Sequence, residues 1–239
     1  MLRFLPADAE PLGPNTWAHG ALVEKRIQSP RKRKRALAFH AGVTPRMRAA
    51  GFHCPRLLDA SEDRLLLERL PGAVGHSVQA HRAAGRWLAA LHSLLPVPED
   101  PLPLDQAVTR RLSAVAEGLP GEHGARLLEA AQPETLRGME RRWCHRDFHP
   151  RNWLWDGERL AVVDFEHSGP DAPGLDLCRV PERAALLEGY GPRSEGAVAA
   201  QRTLDLLDAA GAWAWGLRHG DAGFEREGRE RLHRLISVH

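Results

Sequence analysis

Residues 144–152 read Cys-His-Arg-Asp-Phe-His-Pro-Arg-Asn, and residues 163–165 read Val-Asp-Phe. Between them they supply a carboxylate at Asp147, an amide at Asn152 and a second carboxylate at Asp164. An aspartate can orient a hydroxyl and accept its proton, while an amide oxygen and a carboxylate are hard donors that suit magnesium beside phosphates. These residue types at this spacing suit phosphoryl transfer. A zinc hydrolase built on His145, Asp147 and His149 could use the same stretch, but it gives the downstream Asp-Phe-Glu of residues 164–166 no role.

Other elements must bring Asn152 and Asp164 together. Trp153-Leu154-Trp155, the Asp156-Gly157 turn and residues 160–163 read as a hairpin that presents Asp164 at its tip. Upstream, residues 21–27 alternate as a strand with Val23 and Lys25 on one face; a strand lysine by itself is commonly a solvated edge charge, but ahead of a loop suited to phosphoryl transfer Lys25 becomes a candidate phosphate lysine. A short strand is expected at residues 2–5 and a turn at 12–16, where Gly13 could let backbone N–H groups approach a phosphate without a full Gly-x-Gly-x-x-Gly. Residues 31–41 suit a helix ended by Gly42, and Thr44-Pro45 opens another that Gly51 closes. Strands at 56–60 and 64–70 flank a turn at Ser61-Glu62-Asp63, with Pro71-Gly72 ending the second. Ser77 caps a helix to about Leu95, with Trp87, Leu88 and Leu91 at helical spacing and His92 as a packing histidine. Further helical patterns cover 105–119, 122–131, 182–188, 195–218 and 222–237.

A chain of 239 residues can bury a full core, and its formal charge of +2 says little about partners. The run Arg31-Lys32-Arg33-Lys34-Arg35 could meet phosphates, but such runs are commonly solvated helix faces, and nucleic acid is not an expected partner. Cys54, Cys144 and Cys178 form no close pair, which argues against a disulfide framework or a thiolate zinc site. No stretch reads as bilayer-spanning or as a signal peptide, so a cytoplasmic location and no membrane partner are expected.

His-Arg-Asp, an asparagine five residues beyond the aspartate and a later Asp-Phe follow the order of the protein-kinase signature. His149-Pro150 inside the loop and Asp164-Phe165-Glu166 give a closer match: the chain resembles the aminoglycoside phosphotransferase and choline kinase family of small-molecule kinases. Supporting matches are Leu88-Ala89 with Leu91-His92, Leu67-Glu68 before Pro71-Gly72, and Leu175-Asp176-Leu177, in the family's order from about residue 13 to 180. The resemblance implies an α+β, bilobal protein-kinase-like fold. Its small, mainly antiparallel β N-lobe would occupy residues 1–70, and a larger helical C-lobe would occupy 71–239 with the catalytic loop, metal site and acceptor-binding helices. It also implies ATP and Mg2+ as cofactors, Asp147 as base, Asn152 and Asp164 as metal ligands, and Lys25 as partner of the nucleotide phosphates. Leu67 would sit against the adenine, with the backbone of Glu68 and Leu70 facing its hydrogen-bonding edge; His145 would be scaffold, and Asp176 a brace for the loop.

Three features depart from the family's pattern. No acidic residue lies between Lys25 and Asp59, so the helix glutamate that normally pairs with the lysine is absent and Lys25 is expected to be unpaired. Arg146 and Arg151 stand where the family commonly has glycines; Arg146 could hold a phosphate, hold a carboxylate or brace the loop. The N-lobe is short. The expected function is an ATP-dependent kinase acting on a hydroxyl of a small molecule, an antibiotic or related metabolite. Glu166, Asp171, Asp205 and Asp208 could offer an acidic acceptor pocket, and Trp213 and Trp215 could line it or pack helices. Two alternatives remain: an atypical protein kinase, suggested by His-Arg-Asp and the basic run, and a catalytically weak nucleotide-binding regulatory module, suggested by the absent glutamate.

Overall fold

A computed structural model describes residues 9–98 and 100–237; the strand expected at residues 2–5 lies outside them. In chain order the elements are β1 (Glu10–Gly13), β2 (Thr16–His19), β3 (Leu22–Arg26), α1 (Pro30–Gly42), α2 (Thr44–Ala49), β4 (Leu57–Ala60), β5 (Arg64–Glu68), β6 (Ala73–Val74) and α3 (Val78–Ser93). There follow α4 (Leu104–Ala116), α5 (His123–Ala130), β7 (Arg142–Cys144), β8 (Trp153–Trp155), β9 (Leu160–Val162), α6 (Arg183–Tyr190), α7 (Glu195–His219) and α8 (Ala222–Ser237). The fold class is α+β and protein-kinase-like, with an antiparallel sheet in the N-terminal region and helices in the C-terminal region. The chain separates into two compact units. One takes the residues up to Val97 with Arg142–Gly169 and Arg179–Gly191, and the other takes Pro98–Arg141, Pro170–Cys178 and the residues from Pro192 onward. Each is assembled from separate stretches, a division unlike a single cut near residue 70.

In the first unit, an antiparallel sheet runs in the order β1-β2-β3-β5-β4, and Lys25 is flanked by Thr16 on one side and Leu65 on the other. The two-residue period of β3 puts Val23 and Lys25 on one face, as the sequence indicates, and Glu24 on the opposite face with Arg26 and Arg64. Ile27, Ala36, Leu65 and Leu67 join the sheet to α1. The hairpin β1–β2 departs from the sequence reading, which sees only the turn between them. These strands are four residues each, and the register slips between Pro11 and Gly13, so no clear alternation marks them.

Helix α1 starts on Ser29, whose hydroxyl accepts from the Lys32 N–H, followed by Pro30 in the first turn. Its first turn carries cations and no acid, against the helix dipole, so tertiary packing must hold it. Phe39, 0% exposed, stacks on Phe165 with centroids 3.9 Å apart. Phe165 in turn lies in an aromatic group with Trp87, Phe148 and His145. Truncating a buried phenylalanine costs about 3–5 kcal/mol, whereas a partly exposed ion pair contributes roughly 0–1 kcal/mol. The aromatic contact, not the charges on α1, therefore anchors this helix beside residues 164–166.

A second sheet has the order β6-β8-β9. Gly72, at φ 114°, enters it where a Cβ would come within 3.0 Å of the Trp155 backbone, which explains the glycine at the end of the strand before it. Helices α3 and α6 touch backbone to backbone: a Cβ on Gly189 would meet the Arg82 carbonyl oxygen at 1.9 Å. Gly189→Ala is expected to lower the melting temperature through overpacking of about 1–3 kcal/mol, each kcal/mol being worth roughly 2–4 °C at this size. A melting curve superimposable on that of the unaltered chain would refute this close approach.

The second unit packs α4, α5, α7 and α8 around Leu112, Leu127, Leu204, Trp213 and Leu232. Trp213 is a core residue beside His123 and His233, whereas Trp215 is exposed and rests on His219 and Phe224. Among the described residues, no helix is long and apolar enough to cross a membrane.

Candidate active site

The loop between β7 and β8 is fixed from within. His145 is fully buried; its Nε2 lies 2.9 Å from the Val163 carbonyl oxygen, and its Nδ1 accepts from the Asp147 N–H at 3.3 Å. These bonds assign the proton to Nε2, bind the loop to the end of β9, and occupy both ring nitrogens. A zinc site using His145 therefore lacks a ligand, and the hydrolase reading is set aside. Arg146 sits at φ 64°, the left-handed region that a glycine adopts freely, and its guanidinium packs over Gly169. Of its three expected roles, this geometry matches bracing the loop.

Asn152 and Asp164 meet because they flank one hairpin. Asn152 precedes β8, Asp164 follows β9, and the Val163 N–H donates to the Asn152 carbonyl oxygen at 3.0 Å. Asp164 thus stands at the open end of the hairpin rather than at its tip, which is the Asp156-Gly157 turn. The Asn152 amide nitrogen donates to the Asp147 carbonyl oxygen at 2.8 Å and to its carboxylate at 3.2 Å. That leaves the amide oxygen as the atom able to face a cation. Asp164 takes φ 70° and ψ 66°, a conformation that aspartate tolerates better than most residues and one that clusters at functional sites.

Asp147 is held by two groups the sequence reading does not assign to it. Arg179 Nη1 donates to Asp147 Oδ1 at 3.3 Å, and His149 Nε2 lies 3.5 Å from the same oxygen. Burial alone would raise the Asp147 pKa. The hydrogen bond from His149 and the charge of Arg179 outweigh it and hold the carboxyl well below the usual carboxylate range. Nothing in the local sequence around Arg179 marks it as a partner of Asp147.

Lys25 is paired, which corrects the expectation of an isolated lysine. Its Nζ lies 2.5 Å from Asp164 Oδ1 and 2.8 Å from Glu166 Oε2. Burial would lower its pKa, but Asp164 and Glu166 outweigh burial and raise it. Glu166 also meets Lys32 of α1 at 2.9 Å. His167, with Nε2 3.6 Å away, is the largest influence on the Glu166 carboxyl; with Lys25 and Lys32 it overrides burial and keeps that carboxyl well below its usual range. The carboxylate missing from α1 is thus supplied by the third residue of Asp-Phe-Glu.

A cavity of about 450 Å³ opens beside these groups, lined by Val23, Lys25, Leu67, Leu70, Asn152 and Asp164 among others. Glu68 also borders it, with its side chain drawn to Arg48 and Arg56. Arg151 lines it as well, and burial leaves neighbouring His40 neutral, with a pKa lowered to about 4. Lys25, Leu67, Glu68, Leu70, Asn152 and Asp164 all border this cavity, Gly13 does not, and Asn152 bonds directly to Asp147. Each of the four acids considered for an acceptor pocket has a protein partner. Asp171 accepts from Arg111 at 3.0 Å, Asp205 from Gln201 at 3.2 Å and Asp208 from Arg231 at 2.8 Å, while Glu166 holds the two lysines. Asp176 is buried in the second unit.

The fold is that of the protein-kinase-like small-molecule phosphotransferases. A choline/ethanolamine kinase family protein from Mesorhizobium loti superposes with a TM-score of 0.72 at 17% identity, covering 98% of this chain and 88% of that one. The gentamicin complex of APH(2'')-IIa gives 0.64 at 16% identity, with 97% and 91% covered. The macrolide 2'-phosphotransferase MphH from Brachybacterium faecium gives 0.63 at 19%, with 94% and 90% covered. By sequence, the model of the phosphotransferase enzyme family matches residues 15–216, and the chain belongs to that family. No curated protein matches it by sequence.

Proposed function

We propose that this chain is an ATP-dependent kinase that transfers the γ-phosphoryl group to a hydroxyl of a small molecule, an antibiotic or a related metabolite. The observation that carries the proposal is the hydrogen-bonded set of Asp147 and Asn152 with Asp164 at the same hairpin end and Lys25 at Asp164. Solved neighbours include an ATP and streptomycin complex and an ADP-bound enzyme, which supports nucleotide use. The donor set also fits Mg2+: an amide oxygen on Asn152 whose nitrogen is already committed, and the Asp164 carboxylate, both hard oxygens. Bound there, the ion would neutralise phosphate charge.

The chain's own residues have separable roles. Asp147 orients the acceptor hydroxyl and takes its proton. Its low basicity suffices, because the transferring group is loosely bonded in the transition state and the proton can leave late. Leu67 and Leu70 offer apolar contact to the base of the nucleotide, with backbone at Glu68 and Leu70 for its edge, while Lys25 meets its phosphates. The regulatory-module reading loses its motive, since Lys25 has two carboxylate partners. The protein-kinase reading is not favoured by neighbours that are small-molecule kinases.

The test is a mass-spectrometric screen. The purified protein with Mg2+ and either ATP or GTP is given hydroxylated antibiotics, amino alcohols and control proteins. A phosphate mass increase on a small molecule is the expected result. Phosphate on protein alone, or none on any acceptor despite retained nucleotide binding, would overturn the proposal.

A further inference from the structure

Helix α1 presents a cation, Lys32, to Glu166 where the family's helix would usually present a carboxylate to the lysine. Lys32 lies 2.9 Å from Glu166 Oε1 and Lys25 lies 2.8 Å from Glu166 Oε2, so one carboxylate bridges an ammonium on the helix and an ammonium on the sheet. The Lys25 and Glu166 side chains are 15% and 16% exposed, and that of Lys32 is 40% exposed. A recess of about 390 Å³ adjoins them, lined by Lys25, Lys32, Asp164 and Glu166 together with Asn15 and Thr16 at the β1–β2 turn. Both ammonium groups therefore border one solvent-filled space with the turn that precedes β2.

We propose that Glu166 is the positioning residue of Lys25, held from α1 by Lys32, so that the nucleotide's polyphosphate meets two ammonium groups rather than one. The inference rests on the kinase reading above. A cation on Asp164 would compete with Lys25 for that carboxylate, whereas Glu166 already holds Lys25 and Lys32 with its two oxygens. With Asp164 turned to a cation, two ammonium groups share the Glu166 carboxylate and leave a positive charge that a polyphosphate can take up. Lys25 and Lys32 repel each other, and the shared carboxylate is what lets both stand at one recess. The reversed polarity makes a specific demand: a carboxylate placed on α1 should do Glu166's work, since α1 is anchored by Phe39 and not by this charge.

The test uses the full chain and calorimetric titration with ADP, in EDTA and again with Mg2+, alongside melting curves. Glu166→Gln is expected to weaken ADP binding roughly tenfold in both solutions, the scale of losing one charge-assisted contact, with little change in melting temperature. Adding Lys32→Glu to Glu166→Gln should restore most of the loss, by giving Lys25 a carboxylate from the helix. Lys32→Ala, a change at a partly exposed side chain, should weaken binding in the same direction by less, and serves if Glu166→Gln fails to fold. Unchanged metal-free affinity in Glu166→Gln would overturn the positioning role. A loss seen only with Mg2+ and not recovered by Lys32→Glu would overturn it too, and would make Glu166 a metal ligand. Unchanged affinity in Lys32→Ala would remove the second ammonium. An unaltered chain that binds no nucleotide would instead overturn the kinase reading, and this inference with it.

Discussion

An Asp147→Ala variant is expected to lose turnover by roughly 10²–10⁴-fold, the usual contribution of a positioned general base, while binding nucleotide nearly as well as the unaltered chain. The separation follows from geometry. Asp147 contacts Arg179, His149 and Asn152, whereas the Lys25 ion pairs do not involve it. The variant should also fold, because Arg179 and His149 are partly exposed and can turn to water. Because the Asp147 carboxyl is held well below its usual range, turnover in the unaltered protein should not fall through protonation of this group near pH 4 to 5, where an ordinary carboxylate titrates. Single-turnover kinetics and nucleotide titration on the same preparation check the claim. Near-normal turnover in Asp147→Ala would show that another group takes the proton.

The second large effect is expected at Asp164. Its replacement should abolish most of the gain in nucleotide affinity that Mg2+ provides, and leave metal-free binding much less affected, because Lys25 keeps Glu166. Two substitutions separate chemistry from strain. Asp164 sits at φ 70°, where alanine is disfavoured by about 1–2 kcal/mol but asparagine is tolerated. Asp164→Asn should therefore melt above Asp164→Ala, while both lose the response to magnesium. Calorimetry with and without Mg2+ measures this, and an intact magnesium response in both variants would remove Asp164 from the metal site.

The legible parts of this protein are those written in short-range spacing. The loop of residues 144–152 and the hairpin that follows could be read because a contiguous stretch fixes both the residue types and the turn that folds Asn152 back toward Asp164. Lys25 could be placed because alternation along β3 puts Val23 and Lys25 on one face. The charge partners could not be read. Glu166 meets Lys25 and Lys32 from far along the chain, whereas the family's usual partner for the lysine stands on the helix that follows it. The arginine partners of Asp171 and Asp208 lie on other helices, α4 and α8, whereas Gln201 stands one turn before Asp205 on α7 itself. Strands β1 and β2 leave no local signal, because a proline, a glycine and a register slip erase the two-residue rhythm.

The discontinuity of the first unit sets an order of assembly during synthesis. Lys25 emerges 139 residues before Asp164, and Lys32 emerges 134 residues before Glu166. Until residues 142–169 are made, the N-terminal sheet has no carboxylate for its lysine, and Phe39 has no Phe165 to stack upon. Contacts this distant carry the loop-closure cost of a long intervening chain and form late. The sheet must wait, with its lysine in water, for the loop that completes it; a nascent chain stopped near residue 141 keeps the packing of Ala36 on the sheet but leaves Phe39 without Trp143 and Phe165, an exposed aromatic of the kind that makes partly folded chains prone to aggregate.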